Sequence, residues 1–480
     1  MYSPIQSAKT AGAAPQKSFA HRALLALIAL AVCSGAVVFS EPAPVDALML
    51  TLLILLPAAG LVTIKPAHLV FLSVWLVIAG GAFISSVFAN DTGISVTHTS
   101  VSLYLFFSAF LFAVFIAKNP VAHTRLILSA YSAAAIAAAV IGLIGYFDLV
   151  PGSAEYFTKF GRATGPFKDP NVFGAFLTLA VVKVLHDVVT QKGMRALIAF
   201  ASFGLLMLAV LLSFSRGAWS AAAVAIIIYG CLSFATAKKN IERVKLLSLG
   251  LACVFGAGLV LTIALQSDSI ADLLEQRASV AQSYDEGPDG RFGGQQKARS
   301  LILENPLGIG ALTFARVYHN EDVHNVYLST FLNAGWLGGF FYLAMAGVTM
   351  ILGLRHAFKR TATQPYFIVA YAALVAMLLE GSIIDTDHWR HFYLLIGVVW
   401  GLMIADRKIA RSSRIVADRR PILLSPVLLL PPPRRSARAL RPARIALPAP
   451  RGYVPFPSRA PRLVGPSTQR LLRAPNGMAS

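Results

Sequence analysis

Stretches of roughly twenty apolar residues recur along this chain from Ala23 to about Ala405, and they run continuously rather than alternating with polar positions. About twenty residues at about 1.5 Å each is what a helix needs to cross a hydrocarbon core of about 30 Å. In such a core every backbone N–H and C=O must be paired inside the protein; a helix achieves this alone, and a barrel would show as alternation. Composition agrees. The 480 residues are 56% hydrophobic and only 13% charged, whereas a soluble domain is about a quarter charged. The expected fold class is therefore all-α, a polytopic membrane protein of about 12 transmembrane helices with one long, partly helical outward loop.

The spans fall near 23–39, 45–64, 67–88, 96–117, 125–147, 171–189, 196–214, 217–236, 246–265, 325–354, 366–384 and 391–405, the tenth with a tilt or break expected near Gly335. Ala23 to Phe39, followed by Glu41-Pro42-Ala43-Pro44, reads as an uncleaved first helix. Charge orients the set, because cytoplasmic loops collect Lys and Arg. One series of connections holds Lys9, Lys17 and Arg22; Lys65; Lys118 and Arg125; Lys192 and Arg195; Lys238, Lys239, Arg243 and Lys245; and Arg355, Lys359 and Arg360. The other holds Glu41 and Asp46; Asp91; Asp148 and Glu155; the loop of roughly 266–323; and Asp385 and Asp387. The first series is expected inside and the second outside. The chain divides into a cytoplasmic N-terminus (1–22), a transmembrane domain (23–405) and a basic, Pro- and Arg-rich tail (406–480), expected to be disordered. From Arg407 on, sixteen Lys or Arg face the single Asp418, so most of the formal +20 charge sits in the tail. Its natural partner is an anionic lipid surface rather than nucleic acid.

Basic residues on the outward side run against the orientation signal, and a common reason to keep them is a phosphate-bearing ligand. Arg162 and Lys168 lie before the sixth span, where Asp169-Pro170-Asn171 reads as a helix start whose N–H groups favour anions. Arg216 sits in a very short hairpin, Phe214-Ser215-Arg216-Gly217, at the membrane boundary, either functional or snorkelling to headgroups. Arg291 follows Asp289-Gly290 in the long loop, which has helix-like stretches at Ser269–Gln282 and Gln295–Glu304 separated by turns; it is a ligand-binding group or one paired to Asp285 or Asp289. His324-Asn325 opens the tenth span, with His324 as a proton-exchanging group or the pair as a helix cap. Other patterns are missing: there is no Gly-rich loop with Lys-Ser/Thr for ATP, and no His/Cys metal spacing. Cys33, Cys231 and Cys253 all fall in apolar segments, so no disulfide is expected. Asp385-Thr386-Asp387 matches the Asp-x-Asp of nucleotide-sugar transferases but lies outside, and reads as loop charge.

Together "GRATGPFKDPNVFGAFL", "LLSFSRGAW", "GRFGGQQKARSLILENPLGIG" and "HNVYLSTFLNAGWLGG" resemble, in order and spacing over about 90–400, the O-antigen ligase/polymerase superfamily of C-type bacterial envelope glycosyltransferases. The resemblance implies an inner (cytoplasmic) membrane enzyme whose long loop and site face the periplasm. It implies a glycan donor on undecaprenyl diphosphate, a lipid A–core or glycan acceptor, and inverting transfer without metal or other cofactor. It places catalytic roles on Arg216, Arg291 and His324 and a binding role on Arg162; Lys168, Asn171 and Asn325, beside them in the same motifs, are further candidate substrate-binding residues. A ligase and a polysaccharide polymerase are both compatible with these motifs. A transporter is the reading from another class, disfavoured because no repeated halves are visible and the charges cluster on one face.

Overall fold

A computed structural model of the protein describes residues 19–266, 287 and 290–418. Its long helices are α1 (Phe19–Ser34), α2 (Pro44–Ala58), α3 (Pro66–Ser86), α4 (Thr92–Lys118) and α5 (Pro120–Tyr146), then, after a short α6 (Ser153–Phe157), α7 (Pro170–Thr190), α8 (Met194–Leu212), α9 (Arg216–Thr236) and α10 (Asn240–Ala264). The long loop contributes α11 (Arg291–Glu304), and α12 (Val326–Ala357), α13 (Gln364–Glu380) and α14 (Arg390–Asp418) follow. A two-residue hairpin, β1 (Thr158–Lys159) with β2 (Arg162–Ala163), is the one sheet among the described residues. The fold is an all-α polytopic membrane protein. A helix stands at each of the twelve expected spans, and α3, α4, α5, α7, α8, α9 and α12 are long and apolar enough to cross a membrane; α1, α2 and α13 are apolar but shorter. The expected loop helix at Ser269–Gln282 and the tail beyond Asp418 lie outside the described residues, and α14 continues past the expected end near 405.

Local chemistry sets the boundaries. Pro occupies the first turn of α2, α3, α5 and α7, where its missing N–H has no helical partner to lose. Asp91, Asp169, Ser215 and Asn325 cap α4, α7, α9 and α12 with side-chain oxygens. Helices α7 and α13 are apolar and buried nearly all round, so they form the centre of the bundle. Helix α13 packs on α9 and α7, α14 on α4, and α12 on α3. The α4–α14 contact depends on small residues. A Cβ added at Gly401 would stand 2.8 Å from the Ala113 carbonyl oxygen, so only glycine lets the backbones approach this closely.

Two faces result. On one, Thr63 N–H donates to the Val114 carbonyl, Lys65 to Ile404, and His356 and Thr363 meet the buried Asp406 at 3.0 and 2.8 Å. On the other, Arg390 grips Asp46 with two 2.7 Å bonds, and the chain returning from the long loop is fixed to the α3–α4 turn by Gly310 N–H to Ser85 and Ala311 N–H to Ser95. Helix α12 is broken, as expected, at Gly335 (φ 65°, ψ −174°). The break admits residues 306–309, whose backbone pairs with both sides of it: Trp336 N–H to Pro306 and Ile309 N–H to Leu332, each 2.8 Å.

Candidate active site

The second face carries the residues singled out above. The hairpin β1–β2 turns through Phe160 and Gly161, both with positive φ, the geometry that matches strand twist in a two-residue loop. It delivers Arg162 into the protein, buried, where Nε donates to the Ser213 carbonyl (2.8 Å) and Nη2 to Asn171 Oδ1 (2.7 Å). One guanidinium thus joins the hairpin, the start of α7 and the α8–α9 turn. That turn is tight: Phe214 is buried with φ 45°, a left-handed conformation for a bulky residue. Ser215 then caps α9, and Arg216 is its first residue. Arg291 is likewise the first residue of α11. A cation in a first turn opposes the helix dipole by about 0.3–1 kcal/mol, so two such corners facing one space are arranged for an anion that reverses the penalty.

They do face one space. A cavity of about 570 Å³ is lined by Arg162, Asn171, Arg216 and Arg291, with Phe214, Phe292, Ile383 and Ile384 as apolar walls and Gln295 and Glu321 at its polar side. His324 sits immediately behind that polar side. Its carbonyl receives Gln295 Nε2 at 3.5 Å, and its Nε2 is 3.4 Å from a Glu321 carboxylate oxygen. Its φ is 53°, and its N–H is held by Asp385 Oδ2 at 2.9 Å. Burial, then the positive charge of Arg291, pushes the His324 imidazole below its ordinary value, against the opposite pull of Glu321 and Asp322. Burial, followed by the charge of Asp387, holds the Asp385 carboxyl above the usual carboxylate range despite bonds from Ser329 and the His324 N–H.

Two expected binding residues are placed elsewhere. Lys168 pairs with Glu41 at 2.9 Å, tying the loop before α7 to the α1–α2 connection, and does not line the cavity. Asn325 spends its side chain on the fold: Oδ1 accepts from Tyr327 and Leu328 N–H, and Nδ2 donates to the Ser382 carbonyl. Gln295, Glu321 and the Ser382–Ile384 connection were not singled out from sequence. Only Glu321, an acid three residues before His324, left a usable signal. Asp385, read as loop charge, is instead an anchor for His324 and Ser329.

Three guanidinium groups and two helix N-termini around a cavity with apolar walls, with an imidazole behind its polar side, are suited to holding an anion near a group that can exchange a proton. No curated protein matches the chain. Residues 201–343 match the family model described as O-Antigen ligase, a segment that contains Arg216, Arg291 and His324. Over that segment the chain is similar to the O-antigen ligase family.

Proposed function

We propose that the protein is a membrane glycosyltransferase of the O-antigen ligase type, working at the periplasmic face of the inner membrane. It moves a glycan from undecaprenyl diphosphate to a sugar hydroxyl of lipid A–core. The observation that carries this reading is the convergence of Arg162, Arg216 and Arg291, from three separate segments, on one cavity with His324 behind it. Arg216 and Arg291 bind the diphosphate oxygens as planar forks and meet the charge that grows there as the glycosidic C–O bond breaks. Arg162, with two donors committed to Ser213 and Asn171, positions the Arg216 turn as well as lining the cavity. The acceptor oxygen attacks the anomeric carbon from the opposite side, with inversion. His324 takes the acceptor proton, and the electron pair of the broken bond leaves on the diphosphate. Because guanidinium groups meet the leaving-group charge, the reaction reads as metal-independent, and cleavage of the glycosyl–diphosphate C–O bond supplies its energy.

The test is glycan transfer in membranes carrying His324→Ala or Arg216→Ala at matched expression. Both variants are expected to lose transfer, and wild-type-like transfer in either overturns the assigned role. The acceptor is decided by supplying lipid A–core or a second lipid-linked glycan as the only acceptor; extension of the latter alone identifies a polymerase of the same fold.

A further inference from the structure

A second cluster on the same face takes no part in the transfer chemistry. His98, in α4, places Nε2 3.7 Å from Asp387 Oδ2, and its ring stacks on His388 with centroids 3.9 Å apart and planes 20° from parallel. One donor atom from each of the three residues lies within 4.8 Å of the others. Two protonated imidazoles would resist that stacking, so the contact favours neutral rings, which is the form that binds metals. The surroundings select the lone pair as well. Ser102 Oγ donates to the His98 carbonyl (3.2 Å) and lies 2.9 Å from His388 Nε2. With the hydroxyl proton spent on the carbonyl, His388 donates Nε2–H to Ser102 and keeps the Nδ1 lone pair for a ligand. This is the orienting contact that metal-bound histidines usually make. Asp387 is also held, its carbonyl accepting from Tyr393 Oη at 2.6 Å.

We propose that His98, Asp387 and His388 form a site for a borderline transition-metal dication of the Zn²⁺ class, which staples α4 to the α13–α14 connection. Two imidazoles and one carboxylate suit Zn²⁺ or Co²⁺, whereas Ca²⁺ and Mg²⁺ take oxygen ligands. Two ligands on one tetrahedral ion stand about 3.3 Å apart, so the 3.7 Å His98–Asp387 separation has only to shorten slightly, while the stacked rings must tilt until their lone pairs converge. A fourth position stays open for water. The role is structural: the pinned connection also carries Asp385, which holds His324, and Ser382–Ile384, which wall the cavity. Sequence spacing could not show the site, because His98 lies in α4 and its two partners in the α13–α14 connection, far apart in the chain.

The experiment uses the full chain without a histidine tag, purified in detergent, stripped with EDTA and desalted. Co²⁺ is titrated by its visible absorption, Zn²⁺ is added in competition, and bound metal is counted by elemental analysis. Wild type is expected to bind one ion per chain, displaced by Zn²⁺ but not by Mg²⁺ or Ca²⁺, and to melt at a higher temperature with Zn²⁺ than without. His98→Ala, His388→Ala and Asp387→Asn should each weaken binding at least tenfold, and His324→Ala should leave it unchanged. Failure of stripped wild type to take up an ion overturns the proposal whether or not the variants fold. So does wild-type-like binding by His98→Ala, or loss of binding in His324→Ala, which would move the ion to the transfer cavity.

Discussion

Replacing Gly335 by Ala should uncouple the imidazole from the cavity. At φ 65° and ψ −174°, residue 335 occupies a region essentially confined to glycine, and forcing another residue there costs of order 1–3 kcal/mol. Space is lacking too. A Cβ would stand 2.8 Å from the Pro306 carbonyl oxygen and the Leu307 carbonyl carbon, and 2.9 Å from the Leu307 oxygen, all backbone atoms that cannot swing aside. Overpacking of this kind adds about 1–3 kcal/mol, so the native arrangement loses roughly 3 kcal/mol or more, about a hundredfold in population at about 1.4 kcal/mol per decade. The chain can escape by straightening α12, but that breaks the Trp336–Pro306 and Ile309–Leu332 bonds and swings the first turns of the helix, with His324 at their head, away from Gln295 and Glu321. Gly335→Ala is therefore expected to lower the melting temperature in detergent and to abolish glycan transfer in membranes. The same substitution at Gly347, an ordinary helical position with nothing within 4 Å of the added atom, should be neutral or raise stability by up to about 1 kcal/mol. Gly335→Ala with the melting temperature and transfer rate of Gly347→Ala would refute the reasoning.

Arg216→Lys should cut transfer about tenfold or more, at least roughly 1.4 kcal/mol of transition-state binding, because an ammonium cannot make the planar two-pronged contact; initial rates at saturating donor check this. His324 is held below its ordinary value by burial and Arg291, so its proton-accepting form persists below about pH 6.5, and the acid limb of the transfer profile should lie under that value. Glu321→Gln removes a group that favours the charged ring and should move the limb lower still; an upward shift in the rate profile contradicts the assignment. The same depression lets the unfolded chain bind this proton more readily, so it erodes stability as pH falls from about 6.5 toward the folded value, visible as a falling melting temperature. Asp46→Asn strips a bidentate, largely buried partner from Arg390 and should cost roughly 3 kcal/mol. Glu41→Gln, which breaks the exposed pair with Lys168, should cost under about 1 kcal/mol by the same denaturation measurement.

The helical architecture was legible because it is written locally. Uninterrupted apolar runs, prolines at positions 66, 120 and 170, and the caps Asp91, Asp169 and Asn325 each act within one segment. Arg216 and Arg291 stood out in the sequence for another reason, as basic residues in connections where the orientation rule disfavours them, and His324 as an imidazole able to exchange protons near neutral pH. Pairing between segments has no such local mark. Nothing near Lys168 indicates that Glu41 will take it up, and nothing in Arg162 reveals that its donors go to Ser213 and Asn171. At Asn325 the structure shows the cap that the sequence offered as one reading, its oxygen accepting from two N–H groups of α12. Ser382–Ile384 end an apolar run and carry no charge, so their part in walling the cavity required the third dimension.

The reach of the Arg162 guanidinium also bears on how this protein can be cut and recombined. The stretch that resembles other proteins, 201–343, brings Arg216, Arg291 and His324, yet the hairpin and α7 start that brace them lie upstream, and the 382–384 wall lies downstream. Exchanging that stretch between relatives would seat the donor's two arginines and histidine against a recipient's bracing. Hybrids should therefore show mixed substrate preference unless residues 158–171 and 380–390 travel with it.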